Sequence, residues 1–248
     1  MKIVVVGGTG LIGSRLVKKI AEHGHTVVSA ARATGVNSFT GEGLAEALAG
    51  ANVIVDVSNS SYTDEEGARE FFETSTLNLL TYGAAAGVGH HVALSVVGTE
   101  RLAESERGYF RAKFEQEQLI RASKTPYSIV HATQFFEFLG GIADEATHGS
   151  LVRVSRAMVQ PMAADDVAAA VGLVATGVPR NGTVEFAGPD VFTLDELVTR
   201  RLAAQHDSRS VVADPLATYF GNNLADDELL PGADVTIAPT HFDDWLKH

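Results

Sequence analysis

Tyr109 and Lys113 stand four residues apart in "YFRAK", a spacing that puts both side chains on one face of a helix. A phenol with an ordinary pKa of about 10 must have that value brought down toward 7 to exchange protons readily, at a cost of about 4 kcal/mol. One ammonium at about 4 Å in an effective dielectric of about 20 supplies about that much. Desolvation of the phenolate works the other way, so a further cation or a hydrogen-bonding hydroxyl is needed beside the pair. Ser95, late in the apolar run "HHVALSVVG", offers a hydroxyl that could orient a substrate carbonyl. A bond from that hydroxyl to a neighbouring strand or turn is its competing use.

These side chains can meet only on a scaffold that brings strand ends and a helix face to one edge. Strand and helix signals alternate from the start of the chain, which argues for parallel βαβ units. "KIVVVG" is apolar without alternation, as in a strand covered on both faces. Leu16 and Ile20 follow at helical spacing, Gly24 supplies a stop, and "TVVSAAR" is the next strand. A short helix around Leu44 to Leu48 leads into "NVIVDVS". "TDEE" at 63–66 has capping-box spacing and opens a long helix through Leu80. "HHVALSVVG", a helix from Tyr109 to Ala122, and "YSIVHAT" after Pro126 bring the expected sheet to six strands, with "YSIVHAT" as the sixth. Such a sheet binds ligands at the carboxyl ends of its strands. Ser95 and His131 lie at that edge, and His131 is a candidate to touch a ligand, with a satisfied half-buried histidine as the alternative.

Gly7, Gly10 and Gly13 in "GGTGLIG" follow the first strand directly and open a helix. In that context glycines let backbone amides at a helix N-terminus approach a pyrophosphate with no Cβ in the way. Thr9, Leu11 and Ile12 lie between them in the same turn, and Val57 and Ser58, in "DVSNS", should run alongside the bound dinucleotide. Enzymes that use NAD usually carry a carboxylate at the end of the second strand to hold the ribose hydroxyls. Here Ala30, Ala31 and Arg32 stand there. A guanidinium suits a 2′-phosphate, so NADP(H) is expected over NAD(H); Arg15 is a second candidate for the same phosphate.

After Gly140 the signals loosen. "GGIADEATHGS" reads as a loop, "LVRVSRAMVQP" as a strand, and "ADDVAAAVGLVAT" as a small helix capped by Asp165 or Asp166. "GTVEFAG" is a further strand, and Thr193 with Glu196 forms a second capping box. We expect one domain over residues 1–248, an α/β fold of the Rossmann type with a doubly wound parallel sheet, in which residues from about 135 to 248 contribute a smaller C-terminal lobe that covers the substrate.

A hydrophobic content of 45% and a charged content of 20% fit a globular chain. Cysteine is absent, which removes disulfides, thiolate nucleophiles and cysteine-ligated zinc together. His90 and His91 are adjacent and point to opposite faces of a strand, so no metal site is expected. The net charge is −12; Asp214, Asp226, Asp227, Glu228, Asp234, Asp243 and Asp244 lie between Arg209 and Lys247 with no lysine or arginine among them. Such a surface repels phosphate backbones, and no nucleic-acid partner is expected. No signal peptide and no membrane helix is read from the sequence, which places the chain in the cytoplasm with a small-molecule substrate as its partner.

"GGTGLIG", the missing acidic residue before Arg32, Ser95 and "YFRAK" together resemble the short-chain dehydrogenase/reductase superfamily. "ALSVVGTE", "YFRAKFEQEQLI" and "YSIVHATQFFEF" look like its atypical, NmrA-like NAD(P)H-binding branch over residues 1 to 190. The resemblance implies a nicotinamide cofactor, Tyr109 as proton donor or acceptor, Lys113 holding the nicotinamide ribose and acidifying the tyrosine, and Ser95 as third member. It also implies a substrate pocket that includes Gln134 and Phe135, in a cluster with Phe136 and Phe138. The region after "YSIVHAT" departs from the better-known branches in lacking Pro-Gly. The expected activity is reduction of a small carbonyl, quinone or similar electron-poor substrate. The alternatives are a non-catalytic NADP(H) redox sensor and, less in keeping with Arg32, epimerase or dehydratase chemistry on tightly held NAD.

Overall fold

A computed structural model of the chain describes residues 1–60, 64–103 and 108–247. Through residue 132 the elements alternate: β1 (Lys2–Val6), α1 (Leu11–Glu22), β2 (Thr26–Ala30), α2 (Leu44–Leu48), β3 (Val53–Asp56), α3 (Glu65–Ala85), β4 (His90–Val96), α4 (Thr99–Leu102), α5 (Tyr109–Ala122) and β5 (Tyr127–Ala132). Then come α6 (Leu139–Glu145), β6 (Thr147–His148), β7 (Leu151–Val154), β8 (Met158–Val159), α7 (Ala164–Thr176) and β9 (Gly182–Ala187). The chain closes with β10 (Phe192–Thr193), α8 (Leu194–Ala204), β11 (Ser210–Ala213), β12 (Thr236–Ile237) and α9 (Phe242–Trp245).

The central sheet runs β12-β9-β5-β4-β3-β1-β2, and every pairing in it is parallel. The apolar run of β1 serves two layers. Ile3 and Val5 pack with Leu16 and Ile20 of α1 and with Val167 and Val171 of α7. Val4 and Val6 pack on Leu44, Leu48 and Leu79 on the other side. A third core holds Phe72, Phe110, Phe136, Leu197 and Phe242 and joins the sheet to the C-terminal helices. The strand order reverses between β1 and β3, so the crevice at the ends of those two strands is the natural ligand position of this Rossmann sheet.

Several expectations change. The strand after Pro126 is the fifth in the chain, and the sheet has seven strands, because β9 and β12 extend it beyond β5; their pairing partners are too distant in sequence for local patterning to show. Residues 140–145 of the expected loop belong to α6 (Leu139–Glu145), held by Leu139, Ile142 and Ala143, which are buried. "LVRVSRAMVQP" is two strands: β7 joins β6 and β11 in a three-stranded sheet and β8 pairs with β10.

The capping assignments also shift. Thr63 lies outside the described residues, and Asp64 caps α3 by accepting from the Gly67 N–H at 3.0 Å. Neither Asp165 nor Asp166 caps α7. Glu137 does so from outside the helix, accepting from the Ala164 N–H at 3.0 Å and from the Trp245 indole at 3.2 Å. Thr193 is the N-cap of α8 but makes no side-chain cap bond. The acidic tail finds cations within the chain, with Asp214 on Arg153 and Asp243 on Arg200. No helix among the described residues is long and apolar enough to cross a membrane.

Candidate functional site

The turn after β1 is tight because Gly7 has φ +79° and lies against the chain beyond β3; a Cβ there would sit 2.8 Å from the Ser58 nitrogen. Gly10 is the N-cap of α1, no side chain caps the helix, and no carboxylate stands in its first turn. The first amides of α1 therefore remain available to an anion. Gly7, Thr9, Gly10, Leu11 and Ile12 line a cavity of about 1230 Å³ that begins at this turn. Gly13 does not line it. A Cβ there would overlap the Gly7 carbonyl oxygen, so Gly13 permits the turn to close on the helix and is corrected from ligand contact to packing.

Arg32, just past the end of β2, lines the cavity beside Ala30 and Ala31. Arg15 is committed elsewhere, donating to the Leu11 carbonyl at 2.8 Å and pairing with Asp165 at 3.4 Å. Val57 and Ser58 also border the cavity. Ser58 is fixed by Asp56, whose Oδ1 accepts from its N–H at 2.9 Å and its hydroxyl at 2.6 Å.

Tyr109 and Lys113 project from α5 into the same cavity. The Tyr109 ring is held edge-on between Phe72 and Phe110 at 5.8 and 5.6 Å, and its hydroxyl donates to Asn59 Oδ1 at 2.8 Å. Lys113 is 2% exposed. Its ammonium lies 4.6 Å from the centre of the Phe72 ring and donates to the Leu94 carbonyl at 2.8 Å and to Gln116 Oε1, neither of them the phenol. Gln116 in turn donates to Asp56 Oδ2 at 3.1 Å. Burial pulls the Lys113 pKa from 10.5 to about 8, against the opposing pull of the Asp56 and Glu117 carboxylates. Two of its three donors are used by protein, which leaves one for a ligand.

Ser95 borders the cavity, but its proton goes the other way, to Glu117 Oε1 at 2.6 Å. The same oxygen bonds His131 Nε2 at 2.8 Å, while Arg121 reaches Glu117 at 3.2 Å. Burial works against the His131 charge as the largest single effect, yet the carboxylates of Glu117 and Glu185 outweigh it and raise its pKa. Burial likewise opposes ionisation of Glu117, and the bonds from His131 and Ser95 with the nearby Lys113 charge overcome it and lower its pKa. His131 is thus an ion-pair partner beneath the site and does not line the cavity. A serine bonded to an ionised carboxylate presents a lone pair, not a proton, to a ligand.

Gln134 and Phe135 border the cavity, as does Phe138, stacked on Phe135 at 5.3 Å; Phe136 turns away into the core at 0% exposure. Tyr219 and Phe220 also line the cavity. His90 bonds Ser128 Oγ at 2.9 Å, and no metal-binding cluster exists among the described residues. Sequence reasoning missed Asp56, Asn59, Gln116 and Glu117. The one signal available was that Gln116 and Glu117 follow Lys113 by three and four residues and share its helix face.

A model of the family described as NAD(P)H-binding matches residues 7–174. The chain belongs to the NAD(P)H-binding family. Within it, the sequence fits the atypical branch of the short-chain dehydrogenase/reductase superfamily. A divinyl chlorophyllide a 8-vinyl-reductase of Oryza sativa subsp. indica is 30% identical over 59% of this chain and 43% of its own. The photosystem II assembly factor Ycf39 of a Synechocystis species is 28% identical over 57% of this chain and 47% of its own. The chain thus spans less than half the length of these relatives. Among solved structures, MoeE5 in complex with UDP-glucose and NAD superposes with a TM-score of 0.70 at 15% identity, covering 100% of this chain and 96% of that one. The dTDP-glucose 4,6-dehydratase DesIV of Streptomyces venezuelae gives 0.70 at 19% identity, over 98% and 94%. These two share the fold. The cavity of this NAD(P)H-binding chain fits a dinucleotide: its lining includes an uncapped helix start for the pyrophosphate, a guanidinium and a buried cation.

Proposed function

We propose that the protein is an NADP(H)-dependent reductase of a small carbonyl, quinone or similar electron-poor substrate, acting in the cytoplasm. The observation that carries this reading is one continuous cavity lined both by the bare α1 turn with Arg32 and by Tyr109 with Lys113. Arg32 pairs with the 2′-phosphate, and the first amides of α1 hold the pyrophosphate. When bound, the dinucleotide supplies the hydride. Tyr109 gives its hydroxyl proton to the oxygen that becomes negative, the hydroxyl turning that proton from the neutral Asn59 amide oxygen to the substrate. Lys113 keeps its positive charge beneath the reacting oxygen and offers its remaining N–H to the ribose. Ser95 is not a proton donor in this scheme, since its hydrogen belongs to Glu117.

The test is consumption of NADPH, followed by absorbance, against a panel of quinones, aldehydes and ketones. Turnover with at least one class, lost on Tyr109→Phe, is the expected result. A second reading, an NADP(H) sensor, is favoured by the diversion of the Ser95 hydroxyl. It requires equal, tight binding of both redox states and no turnover across the panel.

A further inference from the structure

Between β11 and β12 the chain makes a two-residue turn at Phe220 and Gly221. The Tyr219 N–H donates to the Asn222 carbonyl at 2.7 Å, and the Asn222 N–H donates back to the Tyr219 carbonyl at 3.0 Å. Asn222 Nδ2 also donates to the Phe220 carbonyl at 3.2 Å. Phe220 has φ +46° and Gly221 φ +81°, the pair of positive angles that defines a type I′ turn. Glycine takes such an angle freely, whereas a Cβ is crowded there, so this turn selects Asn, Asp and Gly. Among the described residues the other non-glycines with positive φ are Asn181 at 49° and His206 at 56°, both of types that tolerate the region. Phe220 is the bulky exception, and of the three it is the one that lines the cavity.

Backbone strain of this kind gathers where a side chain is held for a ligand. What the strain secures here is the place of a ring. The Phe220 ring meets Tyr219 edge-on at 4.6 Å, Tyr219 lies 6.2 Å from Phe110, and Phe110 lies 5.6 Å from Tyr109. All four rings line the cavity, so a run of aromatic contacts leads from the strained turn to the proton donor. Phe220 is half-buried, which leaves part of its surface accessible. It also lies beyond residues 7–174, the part of the chain that the NAD(P)H-binding family shares. A flat ring laid against Phe220 gains offset-stacked or edge-to-face contact, and an aliphatic chain does not. Resting on the reading of the protein as a reductase, we propose that Phe220 is a specificity residue for the substrate. It selects electron-poor substrates that carry an aromatic or quinonoid ring over aliphatic aldehydes and ketones.

The experiment uses the full chain with Phe220→Asn and Phe220→Leu. Both remove the ring, but only the first suits a positive φ, while the second keeps the strain. NADPH-dependent kcat/KM is measured for quinones and aromatic aldehydes and for aliphatic aldehydes and ketones of similar size. NADP⁺ binding is measured by calorimetry, and thermal unfolding is recorded without ligand. In both variants kcat/KM for ring-bearing substrates should fall at least about fivefold, with less than about twofold change for aliphatic ones and wild-type NADP⁺ affinity. Phe220→Asn should melt level with or above wild type, and about 2 to 4 °C above Phe220→Leu. Equal changes for the two substrate classes overturn the proposal, as does a wild type that prefers the aliphatic class. Weakened NADP⁺ binding overturns it by assigning the ring to the cofactor. So does a Phe220→Asn chain that melts more than about 2 °C below wild type, which marks a ring kept for packing. A wild type that turns over nothing in the panel refutes the function proposed above and this inference with it. A wild type that turns over, with variants of unaltered discrimination, refutes this inference alone.

Discussion

Lys113 holds its charge where water cannot reach it, and that should be measurable as a stability that climbs with pH. In the unfolded chain the ammonium loses its proton around 10.5, and in the folded protein burial brings this to about 8. Below pH 8 both states carry the proton and the full cost of burying the charge is present. Between 8 and 10.5 the unfolded chain binds a proton that the folded one has released, so folding gains stability as pH rises. Above 10.5 the contribution is level. At about 1.36 kcal/mol per pH unit, the gap corresponds to about 3 kcal/mol.

Other groups titrate in the same range, so the comparison must be with Lys113→Met, which fills the space without a charge. The Asp56 and Glu117 carboxylates that face the ammonium are common to both proteins. Urea unfolding at pH 7, 8, 9, 10 and 10.5 should show wild type gaining on the variant by about 3 kcal/mol across the window, or about 1 M in midpoint for a slope of about 3 kcal/mol/M. Two curves that run parallel from pH 8 to 10.5 would refute the assignment of a buried, titrating ammonium. Dinucleotide affinity provides the functional counterpart. If the remaining N–H serves the ribose, the apparent Kd of wild type should rise about tenfold for each pH unit above 8.

Further outcomes are expected. Tyr109→Phe should lower turnover by about 10²- to 10⁴-fold with any accepted substrate, while calorimetric cofactor affinity changes far less. Arg32→Ala should weaken NADP(H) by about 10- to 100-fold and NAD(H) hardly at all, a split read by titrating both; equal losses would show that the guanidinium does not read the 2′-phosphate. Gly13→Ala should cost about 3 kcal/mol or more in denaturant unfolding, because its Cβ would meet the Gly7 carbonyl backbone rather than a movable side chain.

The scaffold was legible wherever a pattern repeats over neighbouring residues. The unbroken apolar run of β1, the glycines behind it and the 109–122 helix all follow from spacings of one to four residues, which is the range over which a strand or helix repeats itself. So the Rossmann sheet, the bare turn and the shared face of Tyr109 and Lys113 were available from the letters alone. Arg32 was too, since its position depends only on where the second strand ends.

What the letters could not settle was where a polar atom would find its partner. Ser95 looked like a proton donor to a ligand until Glu117, 22 residues away, took its hydrogen. For His131 the sequence left ligand contact and a satisfied half-buried histidine both open, and the same carboxylate decided for the second. Gln116 and Asp56 meet across 60 residues, and Glu137 reaches 27 residues to cap α7. Hydrogen bonds act over about 3 Å in space with no regard for separation along the chain. The backbone repeat therefore predicts the elements, and only their packing decides which side chains are spent on the protein and which remain for a ligand.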